Sequence, residues 1–189
     1  MLTDRLCRSA GHIEQVFTDL GFAYCFIGGI AVQRWGEPRN TNYLDVTLLT
    51  GFGDESPYID ALLQRLSSRI EGAKNFALQS RTLLLEDEFG TPIDVSLGAM
   101  PFEERSIARA SKFSLSHDIK ITTCRANDLV VHKAFANRDR DWTDIRGIFV
   151  RSFDFVDLDE ILEELEPLAE IKNSPECIAN LKNMAQQFM

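Results

Sequence analysis

Apolar residues recur along this chain in two rhythms, and each rhythm marks a kind of element. Near the start, Ile13, Val16, Phe17 and Leu20 share one helical stripe, with Thr3 placed to cap the helix and Gly21 to end it. Tyr24 to Ile27 then form a short buried run that reads as a strand entering a turn at Gly28 and Gly29. Residues 30–35 follow as a helix that stops near Gly36 and Pro38. A second strand is predicted over 43–50. A helix opened by Ser56 and Pro57 carries Ile59, Leu62, Leu63, Leu66 and Ile70 inward. Residues 81–88 and 92–98 read as two strands around a tight turn, hence an antiparallel hairpin. A short helix near Phe102 to Ala110 leads to a further strand over 118–124.

From Asn127 onward every segment has helical spacing, ending in a helix capped by Ser174 and Pro175. The expected fold is therefore a mixed α/β sheet of about five strands with flanking helices over 1–125, followed by a helical part over 126–189 packed on that core. No internal repeat and no low-complexity linker interrupts it.

Composition adds limits rather than detail. The 189 residues suffice for one domain with a helical extension, and 44% hydrophobic with 26% charged residues is ordinary for a globular chain. No apolar run approaches the roughly 18 residues of a bilayer span, and the first residues lack the apolar centre of a secretory signal, so a cytoplasmic protein without a membrane partner is expected. Cys7, Cys25, Cys124 and Cys177 stand far apart and read as buried thiols. The net charge of −9 opposes broad nucleic-acid binding. Nearly all of that excess lies between Asp154 and Glu170, where eight acidic residues meet no basic one; Leu158, Ile161, Leu162 and Leu165 mark the segment as a helix with a solvated face.

Chemistry concentrates in residues 26–49. Two glycines after a strand let backbone approach a ligand closely, and the helix behind them offers free N–H groups to phosphate. Asp45 lies between Leu44 and Val46, and Asp94 between Ile93 and Val95. A carboxylate inside an apolar strand needs a partner, and a divalent cation is one; a hydrogen bond to backbone is the other. His117 and His132 have no partners at metal-ligand spacing and read as structural or surface residues.

In these residues the chain resembles the nucleotidyltransferases of the DNA polymerase β superfamily. The closer resemblance is to minimal nucleotidyltransferases and to the type IV abortive-infection toxins. The likeness is carried by Gly28, Gly29, Trp35, Gly36, Arg39, Thr41, Asp45, Asp94 and the segment 128–145. The glycine pair and the acidic strand are separated by thirteen residues, 30 to 42. The resemblance implies a nucleotidyltransferase fold and magnesium, or manganese, held by Asp45 and Asp94. It implies nucleotide contacts from Gly28, Gly29, Arg39, Thr41 and Tyr43, with Lys133 neutralising phosphate. Asp94 would orient or deprotonate an acceptor hydroxyl. The implied reaction moves a nucleoside monophosphate from a nucleoside triphosphate to an RNA or protein acceptor, in a setting related to toxin–antitoxin pairs and their partner proteins. The chain departs from the family pattern at Tyr43, where an aspartate would stand two residues before Asp45. A phenol stays protonated at neutral pH and is a poor magnesium ligand. Glu37, Glu86 and Glu88 are the candidates to replace the missing carboxylate. The alternative is a module that binds a nucleotide or a partner without turnover.

Asp141 and Asp144 flank Trp142, and Asp141 reads as a helix cap.

Overall fold

The computed structural model describes residues 2–188. They divide into two compact units, residues 2–30 with 39–124, and residues 31–38 with 125–188.

The first unit is built on a mixed sheet of seven strands in the order β3-β4-β5-β2-β1-β7-β6. These are β1 Tyr24–Ile27, β2 Leu44–Leu49, β3 Ser67–Ser68, β4 Thr82–Glu86, β5 Pro92–Gly98, β6 Ser111–Ser114 and β7 Lys120–Thr123. The pairs β2/β5 and β1/β7 are parallel and the others antiparallel, so the hairpin expected over 81–98 is present as β4 and β5. Alternation along the central strands puts Leu44, Val46 and Leu48 with Ile93, Val95 and Leu97 on the core face. Asp45 and Asp94 point to the other face. The first helix, α1 Asp4–Asp19, begins where Thr3 Oγ1 accepts the Leu6 N–H at 3.2 Å. Its buried stripe of Leu6, Ala10, Ile13, Val16 and Phe17 joins the strand core.

The strand count exceeds the expected five because β3 and β6 are short, exposed edge strands made of serine, lysine and one half-buried phenylalanine. Such strands carry no apolar alternation to read. The helix expected from Ser56 to Ile70 is instead α3, Glu55–Leu63. The chain then turns through β3 and opens α4, Ala73–Ser80, behind a left-handed Gly72. Helix α5 covers Pro101–Ala108.

Helix α2, Gly28–Trp35, starts in the first unit and continues into the second. The second unit also holds α6 Ala126–Ala136, α7 Asp139–Ser152, a 3₁₀ turn Phe153–Phe155, α8 Leu158–Lys172 and α9 Glu176–Ala185. Residues 31–38 belong with these helices for visible reasons. Ser152 Oγ donates to the Trp35 carbonyl at 2.7 Å, and Arg151 Nη1 donates to the Gly36 carbonyl at 2.7 Å. Backbone approach is close there too: a Cβ on Gly147 would stand 3.1 Å from the Glu37 nitrogen. Within the acidic segment, Asp157 caps α8 by accepting the Asp159 and Glu160 N–H groups at 3.0 and 3.1 Å. Ile161, Leu165, Leu168 and Ala169 are buried along that helix. Cys25, Cys124 and Cys177 are buried free thiols and Cys7 is half-buried. Among the described residues no helix is long and apolar enough to cross a membrane.

Candidate functional site

Backbone geometry at the end of β1 sets the first part of the site. Gly28 follows Ile27 directly with φ at +57°, a left-handed conformation that a Cβ disfavours. A Cβ there would lie 1.9 Å from Asp45 Oδ2 and 2.8 Å from Asp45 Cβ. The carboxylate therefore occupies the space that any other residue at 28 would fill. Gly29 is confined in the same way: its Cβ would meet Thr41 Oγ1 at 2.8 Å and Arg39 Nη1 at 3.5 Å. Thr41 is buried and its hydroxyl donates to the Tyr43 carbonyl at 3.2 Å, while Arg39 Nη1 donates to the Asn40 carbonyl at 3.3 Å. Close packing between the glycine pair and the loop before β2 thus gathers Gly28, Gly29, Arg39, Thr41 and Asp45.

Sheet register supplies the second carboxylate. Ile27 pairs with Asp45, Asp45 with Asp94, and Asp94 with Leu84, so the two aspartates are lateral neighbours about 4.8 Å apart along the sheet. Tyr43 sits one residue outside β2, in a bend, and is half-buried. Its carbonyl is tied down by the Thr41 hydroxyl.

One further residue, which the apolar pattern does not single out, reaches Asp94. Arg69 forms an ion pair with Asp94. The apolar spacing places it in a helix ending near Ile70, whereas α3 ends at Leu63. The polar Ser67, Ser68 and the nearby Gly72 were the available signal that the helix had already stopped.

The donor set fits one divalent cation and not two. Two neighbouring carboxylates can hold a magnesium ion whose remaining ligands are phosphate oxygens and water, whereas a second ion needs further bridging oxygens. Among the described residues no group of three His, Cys, Asp or Glu is arranged to hold a metal. Glu86 ends β4 on the face of Leu84, Glu88 is exposed in the following turn, and Glu37 belongs to the second unit.

Lys133 lies in the second unit in a different setting from the one expected. It is 7% exposed, and its ammonium contacts Asp141 at 3.0 Å and Asp144 at 2.7 Å, both 2% exposed. Arg138 Nε adds a contact to Asp141 at 2.7 Å. Asp141 is thus not the cap of α7, which Arg138 precedes, but a first-turn residue bound to two cations. Burial pushes its carboxyl up, and the bonds from Arg138 and Lys133 outweigh that and hold it below the ordinary aspartate value. The Lys133 ammonium is therefore already committed to two carboxylates. His132 beside it is half-buried with its Nε2 shielded from solvent, and desolvation first and the Lys133 charge second lower its pKa to about 4. His117 is exposed against Asp118 at 2.7 Å.

A mixed sheet that brings a glycine-led helix and two strand aspartates together is the nucleotidyltransferase fold, and this chain has it. The likeness is to the crystal structure of an antigenic nucleotidyltransferase-like protein from Paracoccidioides brasiliensis. The TM-score is 0.53 at 14% identity, over 95% of this chain and 93% of that one. The lincosamide antibiotic adenylyltransferase LnuA, solved with lincomycin, gives a TM-score of 0.48 at 12% identity over 78% of this chain and 96% of its own. The antibiotic-resistance factor ANT(2'')-Ia gives 0.49 at 11% over 97% of each. The first of these likenesses, at 14% identity, defines a fold and leaves the chemistry open. No family model matches the chain. No curated protein matches it either.

Proposed function

We propose that the first unit binds a nucleoside triphosphate together with one magnesium ion and transfers its nucleoside monophosphate to a hydroxyl acceptor on RNA or protein. The observation that carries this reading is the fit of the Asp45 carboxylate into the space left by Gly28, in register with Asp94. A magnesium ion held by Asp45 and Asp94 would supply charge neutralisation at the phosphates. Gly28 and Gly29 let the triphosphate approach the start of α2, where backbone N–H groups and the helix dipole favour negative charge. Arg39 and Thr41 border that approach. Asp94 orients the acceptor hydroxyl and takes its proton as the acceptor oxygen bonds to the α-phosphorus and pyrophosphate leaves. Lys133 stays outside the ligand set, because its charge serves Asp141 and Asp144. A toxin-like setting with a partner protein is compatible with this chemistry.

A second reading is binding without turnover, favoured by the Arg69–Asp94 ion pair and by Tyr43 in place of a carboxylate. Calorimetric titration with each of the four nucleoside triphosphates, with and without magnesium, tests both. Magnesium-dependent binding that Asp45→Asn abolishes is expected, and saturation at about 100 times Kd should add roughly 2.7 kcal/mol of stability. Absence of binding by any triphosphate overturns the nucleotide reading. Binding without release of pyrophosphate in the presence of RNA or protein acceptors selects the second reading.

A further inference from the structure

Arg69 is anchored at one end and accessible at the other. It follows the edge strand β3, and its N–H donates to the Leu84 carbonyl at 3.1 Å; Leu84 is in turn the β4 neighbour of Asp94. Its guanidinium therefore reaches across one strand to the Asp94 carboxylate on the polar face of the sheet. The pair is partly open to solvent, with Arg69 27% and Asp94 37% exposed. A guanidinium fork recognises carboxylate and phosphate with the same two-pronged geometry. The charges leave it a task. One divalent ion balances Asp45 and Asp94 and no more, so the polyphosphate of a bound nucleotide needs positive charge from elsewhere. The donor set offers no place for a second ion, and Arg69 already stands at the site.

We propose that Arg69 is a phosphate-binding residue of this site. It holds Asp94 while the site is without ligand and passes its guanidinium to the polyphosphate of an incoming nucleoside triphosphate, releasing Asp94 as it does so. No covalent bond changes; one anionic partner is exchanged for another. The inference rests on the nucleotide-binding reading and adds to it a cation that takes the part of a second metal.

Because Arg69 competes with a metal for Asp94 but cooperates with it in holding phosphate, its removal acts with opposite sign on two simple probes. The full chain is titrated calorimetrically with inorganic tripolyphosphate in saturating magnesium, and separately with manganese chloride alone, followed by electron paramagnetic resonance. For Arg69→Ala the expected result is a loss of about tenfold in tripolyphosphate affinity and a gain of about threefold in manganese affinity. A variant that melts at lower temperature but binds both probes as the unmodified protein does overturns the proposal, since Arg69 is then only a structural partner of Asp94. Should the alanine variant not fold, Arg69→Lys carries the test. It keeps the charge but loses the fork, and unchanged tripolyphosphate affinity overturns the proposal there too. If the unmodified protein binds neither tripolyphosphate nor any triphosphate, the nucleotide reading itself fails; if it binds and Arg69→Ala binds equally, only the assignment of Arg69 fails.

Discussion

Gly28→Ala is the substitution most directly set by the geometry of the site, and its cost has two separable parts. The first is conformational: an L-residue held at φ +57° costs about 1–2 kcal/mol. The second is the collision of the new methyl with Asp45, whose Oδ2 lies 1.9 Å and Cγ 2.5 Å from it. Asp45 must leave its rotamer, at a further cost of about 0.5–1.5 kcal/mol, and its backbone must also give a little because its Cβ lies 2.8 Å from the methyl. The sum is about 1.5–3.5 kcal/mol. Gly21 isolates the first part, for it has φ +67° with nothing within 4 Å of an added Cβ. Urea unfolding should therefore show Gly21→Ala about 1–2 kcal/mol less stable than the unmodified protein, and Gly28→Ala lower by roughly another 1 kcal/mol. Only Gly28→Ala should lose manganese and triphosphate binding, because only it displaces a carboxylate of the site. In an Asp45→Ala background the extra penalty should shrink, as contacting residues couple. Equal stability of the two glycine variants, with binding intact in both, would refute a carboxylate seated over Gly28.

Two further predictions follow from named groups. Tyr43→Asp places a carboxylate beside Asp45 and should tighten manganese binding by about tenfold, or roughly 1.4 kcal/mol, in a direct titration; unchanged affinity would mean that the bend holding Tyr43 to Thr41 directs the side chain away from the site. His132 has its folded pKa depressed to about 4 from an unfolded value near 6.5, so its contribution to stability is complete above pH 6.5 and is lost as pH falls towards 4. The loss should total about 3 kcal/mol across that window, and His132→Gln should remove it; equal pH dependence in the variant and the unmodified protein counts against a desolvated neutral imidazole.

Legibility followed the physical strength of each signal. The central strands were readable because Leu44, Val46, Ile93 and Val95 bury one face completely, and only an alternating strand can do that while exposing Asp45 and Asp94 to the other. The first helix was readable because a cap, a stripe and a terminating glycine coincide. The edge strands β3 and β6 were not, since hydrogen bonding to a neighbour makes them strands and their side chains face water. Helix α4 was missed for a related reason: only Ala73 and Ala77 are buried along it, and alanines make no stripe against their neighbours. Arg69, in the turn between β3 and α4, carries no apolar signal for the same reason. The ion pair of Lys133 with Asp141 and Asp144 was also beyond the sequence, although the spacing from 133 to 141 lies within eight residues. A helix break at Asn137, left-handed at φ +60°, is what turns the two helices so that these side chains meet.

Comparing the two cations explains why Arg69, and not Lys133, is the charge that can move. Withdrawing Lys133 from Asp141 and Asp144 would take a cation from carboxylates that are only 2% exposed, and breaking a buried ion pair from one side costs about 3–5 kcal/mol. Arg138 also contacts Asp141, which lowers that cost without removing it. Asp94, at 37% exposure, is already reachable by water, and an ion pair of that exposure is worth about 0–1 kcal/mol after screening. A phosphate needs to offer Arg69 little more than Asp94 does to win it. The weakness of the Arg69 pair is therefore what suits it to exchange partners, and the strength of the Lys133 cluster is what suits it to hold α6 and α7 together.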